Sequence, residues 1–284
     1  LIIICNMSPL NPGPNRPISV FYSNIQGLIN TRDLASQTPP LNMTKLHELH
    51  GYLYTHKPDV VVLNETWLKK SILDNELLPS CYKVIRVDRS NKSRPWDPNQ
   101  PRKFRQNGGG VLIAHRTDVE ITSSKVNLVT SQAELLSVIL KLPNGVKLCL
   151  STVYRVGTLG IENFYEVKKH FESLAIKRKL DKHILIGDFN LNGISWPAGV
   201  SSCDLHRRFL EFFLGDLGHT QLISEATHKS GSILDLLFTN VPLLLKDVTV
   251  LDHNKACLSD HLGVTFQIKL NISQRKCNRP QVYN

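Results

Sequence analysis

Two short polar clusters, Gly187-Asp188-Phe189-Asn190 and Ser259-Asp260-His261, hold residue types that phosphodiester hydrolysis needs. A carboxylate can orient and deprotonate water, an amide can donate to a phosphate oxygen, and an imidazole can stabilise developing negative charge. Both clusters follow apolar runs, His183 to Ile186 and the weaker Val248 to Leu258, and so read as loops closing strands. A third run, Val60-Val61-Val62-Leu63-Asn64, ends on Glu65, and a fourth, Ile18 to Ser23, ends on Asn24. The same chemistry needs charge neutralisation on the phosphate, which magnesium, or alternatively manganese, supplies through oxygen ligands that include one or two carboxylates. Glu65 is the first candidate ligand, with Asn24 beside it as a polar partner of the metal or its waters. Each residue has a plainer reading alone: an Asx-turn at Asp188 to Asn190, a turn at Asn24, a pairing of Glu65 with Lys69, a loop histidine at 261. Core packing alone does not explain four strand ends presenting Asn, Glu, Asp/Asn and Asp/His.

Five segments in order, Asn24-Ile25-Gln26-Gly27-Leu28, Asn64-Glu65-Thr66-Trp67-Leu68, Ile186-Gly187-Asp188-Phe189-Asn190, Ser232-Ile233-Leu234-Asp235-Leu236 and Leu258-Ser259-Asp260-His261, resemble the motifs of the endonuclease/exonuclease/phosphatase superfamily. With Thr227-His228 and Gly231 ahead of Asp235 and Thr239-Asn240 behind it, the wording is most similar to the endonuclease domain of non-LTR (LINE-type) retrotransposons. The resemblance spans about residues 18 to 270. It implies a deoxyribonuclease-I-like α/β fold, two mixed sheets packed face to face with flanking helices in a four-layer sandwich.

The resemblance also implies roles. Asp188 would activate water, Asn190 and Tyr154 would contact the phosphate, Asp235 would orient His261, and Asp260 would lie near the metal or its shell. Residues 227 to 232 would form a hairpin tip that probes the DNA minor groove, with Lys229 its one firm positive charge and a plain turn at Ser230-Gly231 the alternative. The implied activity is a magnesium-dependent nick in one strand of double-stranded DNA that leaves a 3′-hydroxyl and primes a reverse transcriptase encoded downstream. The alternatives are a same-fold phosphodiesterase or phosphatase acting on RNA, inositol phosphate or phospholipid, and a catalytically decayed nucleic-acid-binding copy. Gln26 stands where abasic-site repair relatives carry an acid, which weakens a reading of abasic-site cleavage. Arg155-Val156-Gly157 replaces the Pro-rich loop that many relatives carry after the tyrosine.

Elements must position these residues. Leu46, Leu49 and Leu53 have helical spacing over 44–56, and Lys57-Pro58 stops that helix before a strand. Gly109 to Ala114, Leu135 to Leu140 and Val146 to Tyr154 read as strands, the last two joined by a Pro143-Asn144-Gly145 turn. Asn163 to Ala175 is predicted helical and precedes a strand over Ile184 to Gly187. A second helix is expected over Cys203 to Leu214, capped by Ser202, and final strands over Leu234 to Phe238, Asp247 to Leu251 and Leu262 to Ile268. Gly108-Gly109-Gly110 lacks the Lys-Ser/Thr of a phosphate loop and reads as close backbone packing at a strand entry. His47 and His50 have no third ligand partner and read as surface residues of the first helix.

The strand signals continue from Ile18 to Leu270 without a linker, so 18–270 reads as one domain between an irregular leader (1–17) and a basic polar tail (271–284). The 284 residues are 41% hydrophobic and 20% charged, ordinary for a packed core. The excess of 34 Lys and Arg over 24 Asp and Glu, +10 net, suits a polyanionic partner. Arg89 to Asn107 concentrates Arg89, Lys92, Arg94, Arg102, Lys103 and Arg105 against Asp97, with Trp96 and Phe104 between them. This mix fits a DNA-facing loop, with Arg102, Lys103 and Arg105 as its candidate contacts, and equally a solvated insertion. Six scattered cysteines without a zinc spacing fit a reducing, intracellular compartment, and nuclear residence is expected. Leu1 to Ile4 is too short to span a membrane, and the lack of an initiator methionine suggests a piece of a longer chain.

Overall fold

The computed structural model describes residues 16–29, 45–89, 108–123, 128–129, 133–156, 161–178, 182–252 and 259–270. Most of the leader, the tail and the basic segment from 90 to 107, including Arg102, Lys103 and Arg105, lie outside the described residues.

The elements run β1 (Ile18–Asn24), α1 (Lys45–His56), β2 (Val60–Asn64), β3 (Tyr82–Val87), β4 (Val111–Arg116), β5 (Ile121–Ser123), β6 (Leu128–Val129), β7 (Ala133–Lys141) and β8 (Lys147–Arg155). They continue with α2 (Ile161–Arg178), β9 (His183–Asp188), α3 (Asp204–Leu210), β10 (Thr220–Gln221), β11 (Asp235–Thr239), β12 (Leu245–Val250) and β13 (Val264–Ile268). One sheet has the order β12-β13-β1-β2-β4-β3; the other has β10-β11-β9-β8-β7-β5, with β6 also paired to β7. Both are mixed, with β1 parallel to β2 and β8 parallel to β9 among antiparallel neighbours.

Strand side chains alternate between faces, and that period builds four layers. Val20 and Tyr22, Val60 and Val62, Leu150, Ile184, Ile186 and Leu237 point between the sheets and form one core. Their neighbours Phe21, Val61 and Leu63 pack outward under Leu49 and Leu53 of α1. On the other sheet Cys149, Val153, Leu185, Leu236 and Phe238 pack outward under Phe164 and Phe171 of α2 and Phe209 of α3. The expected sandwich is thus the observed one.

Local structure departs from the sequence reading most at the third helix and at His50, and β3 was not anticipated. The helix expected over 203–214 is α-helical only to Leu210; a wider π-type turn follows over Glu211–Asp216 and brings Phe212 and Phe213 into the core. Its N-cap is Cys203, with no side-chain cap, rather than Ser202. His50 is half-buried and joins the Leu77 carbonyl at 2.8 Å, so only His47 keeps the expected exposed position.

Candidate active site

At one edge of the sandwich the inward stripe of each strand turns from apolar to polar. Val20 and Tyr22 are followed by Asn24, Val60 and Val62 by Asn64, and Ile184 and Ile186 by Asp188; Asp235 precedes Leu237. The two-residue period therefore aims these polar groups between the sheets. Register aligns them sideways: Glu134 pairs with Tyr154, Tyr154 with Asp188, and Asp188 with Asp235, a row across four strands. Asn24 lies opposite Asn64 in the facing sheet. Gly187 permits this packing, because a β-carbon there would fall on the Val153 backbone of the neighbouring strand.

Asn24 joins the sheets. Its Nδ2 donates to Glu65 Oε1 at 3.0 Å and to Asp188 Oδ2 at 2.9 Å, so two carboxylates converge on one amide. Asp188 Oδ1 accepts from the Asn190 backbone at 3.0 Å, and Oδ2 accepts from Asn190 Nδ2 at 3.0 Å. Asn190 Nδ2 also donates to the Arg155 carbonyl at 2.8 Å, so both amide hydrogens are engaged within the protein. Gln26, Glu65, Trp67 and Asn190 have positive φ values of 46°, 51°, 54° and 50°, a conformation non-glycine residues seldom adopt. Four such residues around one edge mark it as a place where the fold imposes geometry on the chain.

Across from Asn24, His261 Nδ1 donates to Asp235 Oδ2 at 2.7 Å, and the remaining Asp235 oxygen accepts from Tyr22 at 2.5 Å. Nε2 of His261 lies 3.9 Å from Asp188 Oδ2 and 3.9 Å from Asp260 Oδ1. The loop is pinned by Ser259, whose hydroxyl donates to the Asn24 carbonyl and accepts from His261 N. Thr227 Oγ1 accepts from the backbone of Leu234 and Asp235, both at 3.0 Å, and the Lys229 backbone donates to the Asp260 carbonyl at 2.9 Å. The segment carrying Lys229, whose side chain is exposed, is therefore bonded to both the Asp235 and the Asp260 loops.

The electrostatics follow from the packing. Burial disfavours the imidazolium of His261, but the charge and hydrogen bond of Asp235, with Asp188 and Asp260, outweigh it and raise its pKa to about 9. The ring is then cationic at neutral pH, with Nε2–H facing the site. Burial and the nearby Asp235 charge push Asp188 well above the usual carboxylate range, while His261 opposes the shift. Burial, then Asp235 and Asp188, also push Tyr22 far upward, so its hydroxyl stays protonated and donates.

Among the described residues, five carboxylates, Glu65, Glu134, Asp188, Asp235 and Asp260, gather here against the cationic Arg89, Arg155 and His261. An acidic site able to receive an anionic phosphate requires a cation, and the donors fit a hard divalent one: Glu65 and Asp188 already converge, and Asp260 Oδ1 is a buried oxygen with no hydrogen-bond partner. Asp188, Asp235 and His261 form one convergent group with donor atoms within 4.8 Å, and His228, Asp260 and His261 form another. Neither group suits a metal as it stands, because both include His261, whose cationic ring has no free lone pair, and in the first both Asp235 oxygens are engaged by Tyr22 and His261. In the second, His228 is also tied up. Ser230 N–H donates to His228 Nδ1 at 3.0 Å, which leaves the ring hydrogen on Nε2, the atom that faces Asp260.

Every sequence-predicted site residue that is described lies at this edge, with Asp260 partly exposed and Tyr154 near the end of its strand, as expected. Three groups escaped the sequence reading. Arg89, counted there with the basic loop, is instead buried and ion-paired with Glu134, with its guanidinium 5.5 Å from the Tyr154 ring. Glu134 also accepts from Gly110 N at 2.8 Å, and the φ values of +71° and +88° at Gly109 and Gly110 make the close strand entry inferred for the glycine run. Arg155 turns inward, donating to the Phe189 carbonyl at 2.9 Å and to the Asn190 carbonyl at 3.3 Å. The third group is Tyr22 with Asn64. The available signal was parity: Glu134, Tyr22 and Asn64 each continue an inward-facing stripe.

Two packed mixed sheets with flanking helices form the deoxyribonuclease-I-like fold that the motifs led us to expect. More particularly, residues 148–265 match the family model described as endonuclease-reverse transcriptase. The endonuclease domain of TRAS1, a telomere-specific non-LTR retrotransposon, is similar with a TM-score of 0.61 and 17% identity over 90% of this chain and 99% of that one. The human Nocturnin catalytic domain has a TM-score of 0.58 and 16% identity over 90% and 94% of the two chains. An AP endonuclease from Leishmania major has a TM-score of 0.55 and 13% identity over 90% and 89%. No curated protein matches the chain. None of the described helices is long and apolar enough to cross a membrane.

Proposed function

We propose that the chain is a divalent-metal-dependent DNA endonuclease that nicks one strand by phosphodiester hydrolysis and leaves a 3′-hydroxyl. The observation that carries this reading is the convergence of Glu65 and Asp188 on the Asn24 amide, opposite a cationic His261 held by Asp235. Asp188 orients and deprotonates water, while His261 Nε2–H stabilises charge on the phosphate. Asn190 donates to a phosphate oxygen after exchanging one internal hydrogen bond, and Tyr154 borders the same space. Magnesium, or manganese, held by Glu65 and Asn24 with Asp260 in or near the shell, would neutralise phosphate charge and polarise the P–O bond.

The net charge of +10, the basic residues Arg102, Lys103 and Arg105, and Lys229 on its fastened tip support double-stranded DNA as the substrate. The match to an endonuclease-reverse transcriptase model supports a linked polymerase that extends the nick, and with it a nuclear site of action. The test is conversion of supercoiled plasmid to open circle with magnesium or EDTA, by this chain and its Asp188→Ala variant. Magnesium-dependent nicking that the variant lacks is expected. A folded chain that leaves the plasmid supercoiled would transfer the same site to an RNA, inositol phosphate or phospholipid substrate, or mark a decayed copy.

A further inference from the structure

Behind the His261–Asp235 pair lies a buried polar chain that the proposed reaction does not use directly. Tyr22, Asn64, Thr152 and Asp235 each have 0% exposure, and they belong to four strands drawn from both sheets. Thr152 Oγ1 donates to Asn64 Oδ1 at 2.7 Å, and Asn64 Nδ2 donates to the Val153 carbonyl at 2.6 Å and to the Tyr22 oxygen at 3.3 Å. A donor on the phenolic oxygen leaves its own hydrogen to point onward, and it reaches Asp235 Oδ1 at 2.5 Å. The other Asp235 oxygen takes His261 Nδ1. Packing alone does not call for this hydroxyl, because a phenylalanine ring would fill the same space in the core between Val62 and Val264, its partners on the two neighbouring strands. Buried polar groups are costly unless partnered, and a chain whose members are all partnered fixes the orientation of its last member.

We infer that Tyr22 is a positioning residue for the Asp235–His261 pair: anchored by Asn64 and Thr152, its hydroxyl holds the Asp235 carboxylate so that the second oxygen keeps the imidazole tautomer and the aim of Nε2 into the site. Asp235 lies at the start of β11 and Tyr22 on β1, so this bond ties the carboxylate that holds His261 to the opposite sheet, whose strand ends carry Asn24 and Glu65 and whose β13 follows His261 itself. The inference deepens the proposed hydrolysis, and its kinetic consequence rests on that reading; the structural consequence does not.

Two measurements on the Tyr22→Phe variant test it. In nitrogen-15-labelled protein, the His261 Nδ1–H resonance, identified by its loss in His261→Ala, is expected to exchange with solvent at least about 10-fold faster in Tyr22→Phe than in the parent. An unchanged exchange rate overturns the inference whether or not the chain cleaves DNA. In the nicking assay, kcat should fall by about 10-fold with KM within about twofold, and the same substitution made in His261→Ala should have no further effect. An equal fall in both backgrounds would show that Tyr22 acts on the fold rather than through His261, and would also overturn it. Should Tyr22→Phe not yield folded protein, Thr152→Val loosens Asn64 from the far end of the chain. It should speed the same exchange by a smaller factor, and an unchanged rate there counts against the inference equally. A parent that exchanges as expected but cleaves no plasmid would remove the endonuclease reading and leave the role of Tyr22 standing.

Discussion

The buried histidines on the two sides of the second sheet have opposite protonation. His261, between the sheets, is held by Asp235 and faces Asp188 and Asp260, and its pKa rises to about 9. His170 and His219, under the helices on the outer face, lie against Phe171 and Phe213; burial, the dominant cause, lowers each to about 4. All three are at most 5% exposed. Burial alone is therefore not what sets a histidine's charge in this protein; it decides only where no carboxylate opposes it. A carboxylate within hydrogen-bond reach keeps the ring cationic, and burial without one keeps it neutral. One environment holds a charged ring in an ion pair at the polar edge; the other packs a neutral ring among aromatic side chains.

The sharpest way to separate these regions is to remove one group from each. Asp188→Ala should lower nicking by at least about 1,000-fold while the melting temperature holds or rises, since a buried carboxylate repelled by Asp235 is lost. A large fall in melting temperature would make Asp188 structural. Phe213→Ala, in the aromatic layer, should instead cost about 3–5 kcal/mol of stability by denaturant unfolding and leave kcat unchanged below the unfolding transition. Loss of kcat in a still-folded Phe213→Ala protein would erase the division between the two regions.

The pH dependence of stability should carry both signatures, with opposite signs. For His170 and His219 the folded pKa of about 4 lies below the unfolded value of about 6.5. Between these values only the unfolded chain takes up the proton, so their contribution is complete above about pH 6.5 and declines as pH falls towards 4, by up to about 3 kcal/mol each. For His261 the folded value of about 9 lies above the unfolded one, so its contribution is complete below about pH 6.5 and is lost as pH rises through 9. Unfolding without added metal should show His170→Asn easing the acid decline and His261→Ala easing the alkaline one. The reverse assignment would sink both protonation states.

Smaller effects test the edge itself. Glu65→Gln should raise the magnesium concentration for half-maximal nicking several-fold, and an unchanged requirement would remove Glu65 from the ligand set. Lys229→Ala should weaken DNA binding modestly and reduce the slope of log affinity against log salt by about 1; an unaltered slope would leave that tip in solvent.

Much of this architecture was readable from local pattern. Apolar runs at Ile18 to Ser23, Val60 to Leu63 and His183 to Ile186 gave strands, and the polar residue after each lay at the candidate site, because a two-residue period carries a side chain's facing direction past the end of the run. Glu134 and Tyr22 were passed over for the same reason in reverse. Each sits inside or beside apolar residues of its own strand, and nothing local distinguishes a core tyrosine from one that hydrogen-bonds a carboxylate. Arg89 was misplaced because a basic run reads as solvated unless its counter-ion is known, and Glu134 is 45 residues away.

The sequence by itself determined which residues alternate inward and outward, where strands end on polar groups, and that the chain carries excess positive charge. Tertiary structure decided which ends meet. Asn24 and Asp188 are 164 residues apart, and Tyr22 and Asp235 are 213 apart, yet each pair is in hydrogen-bond contact across the two sheets. Those contacts depend on strand order and register summed over the whole sandwich. The charge of His261 likewise depends on which carboxylates the fold brings to its ring.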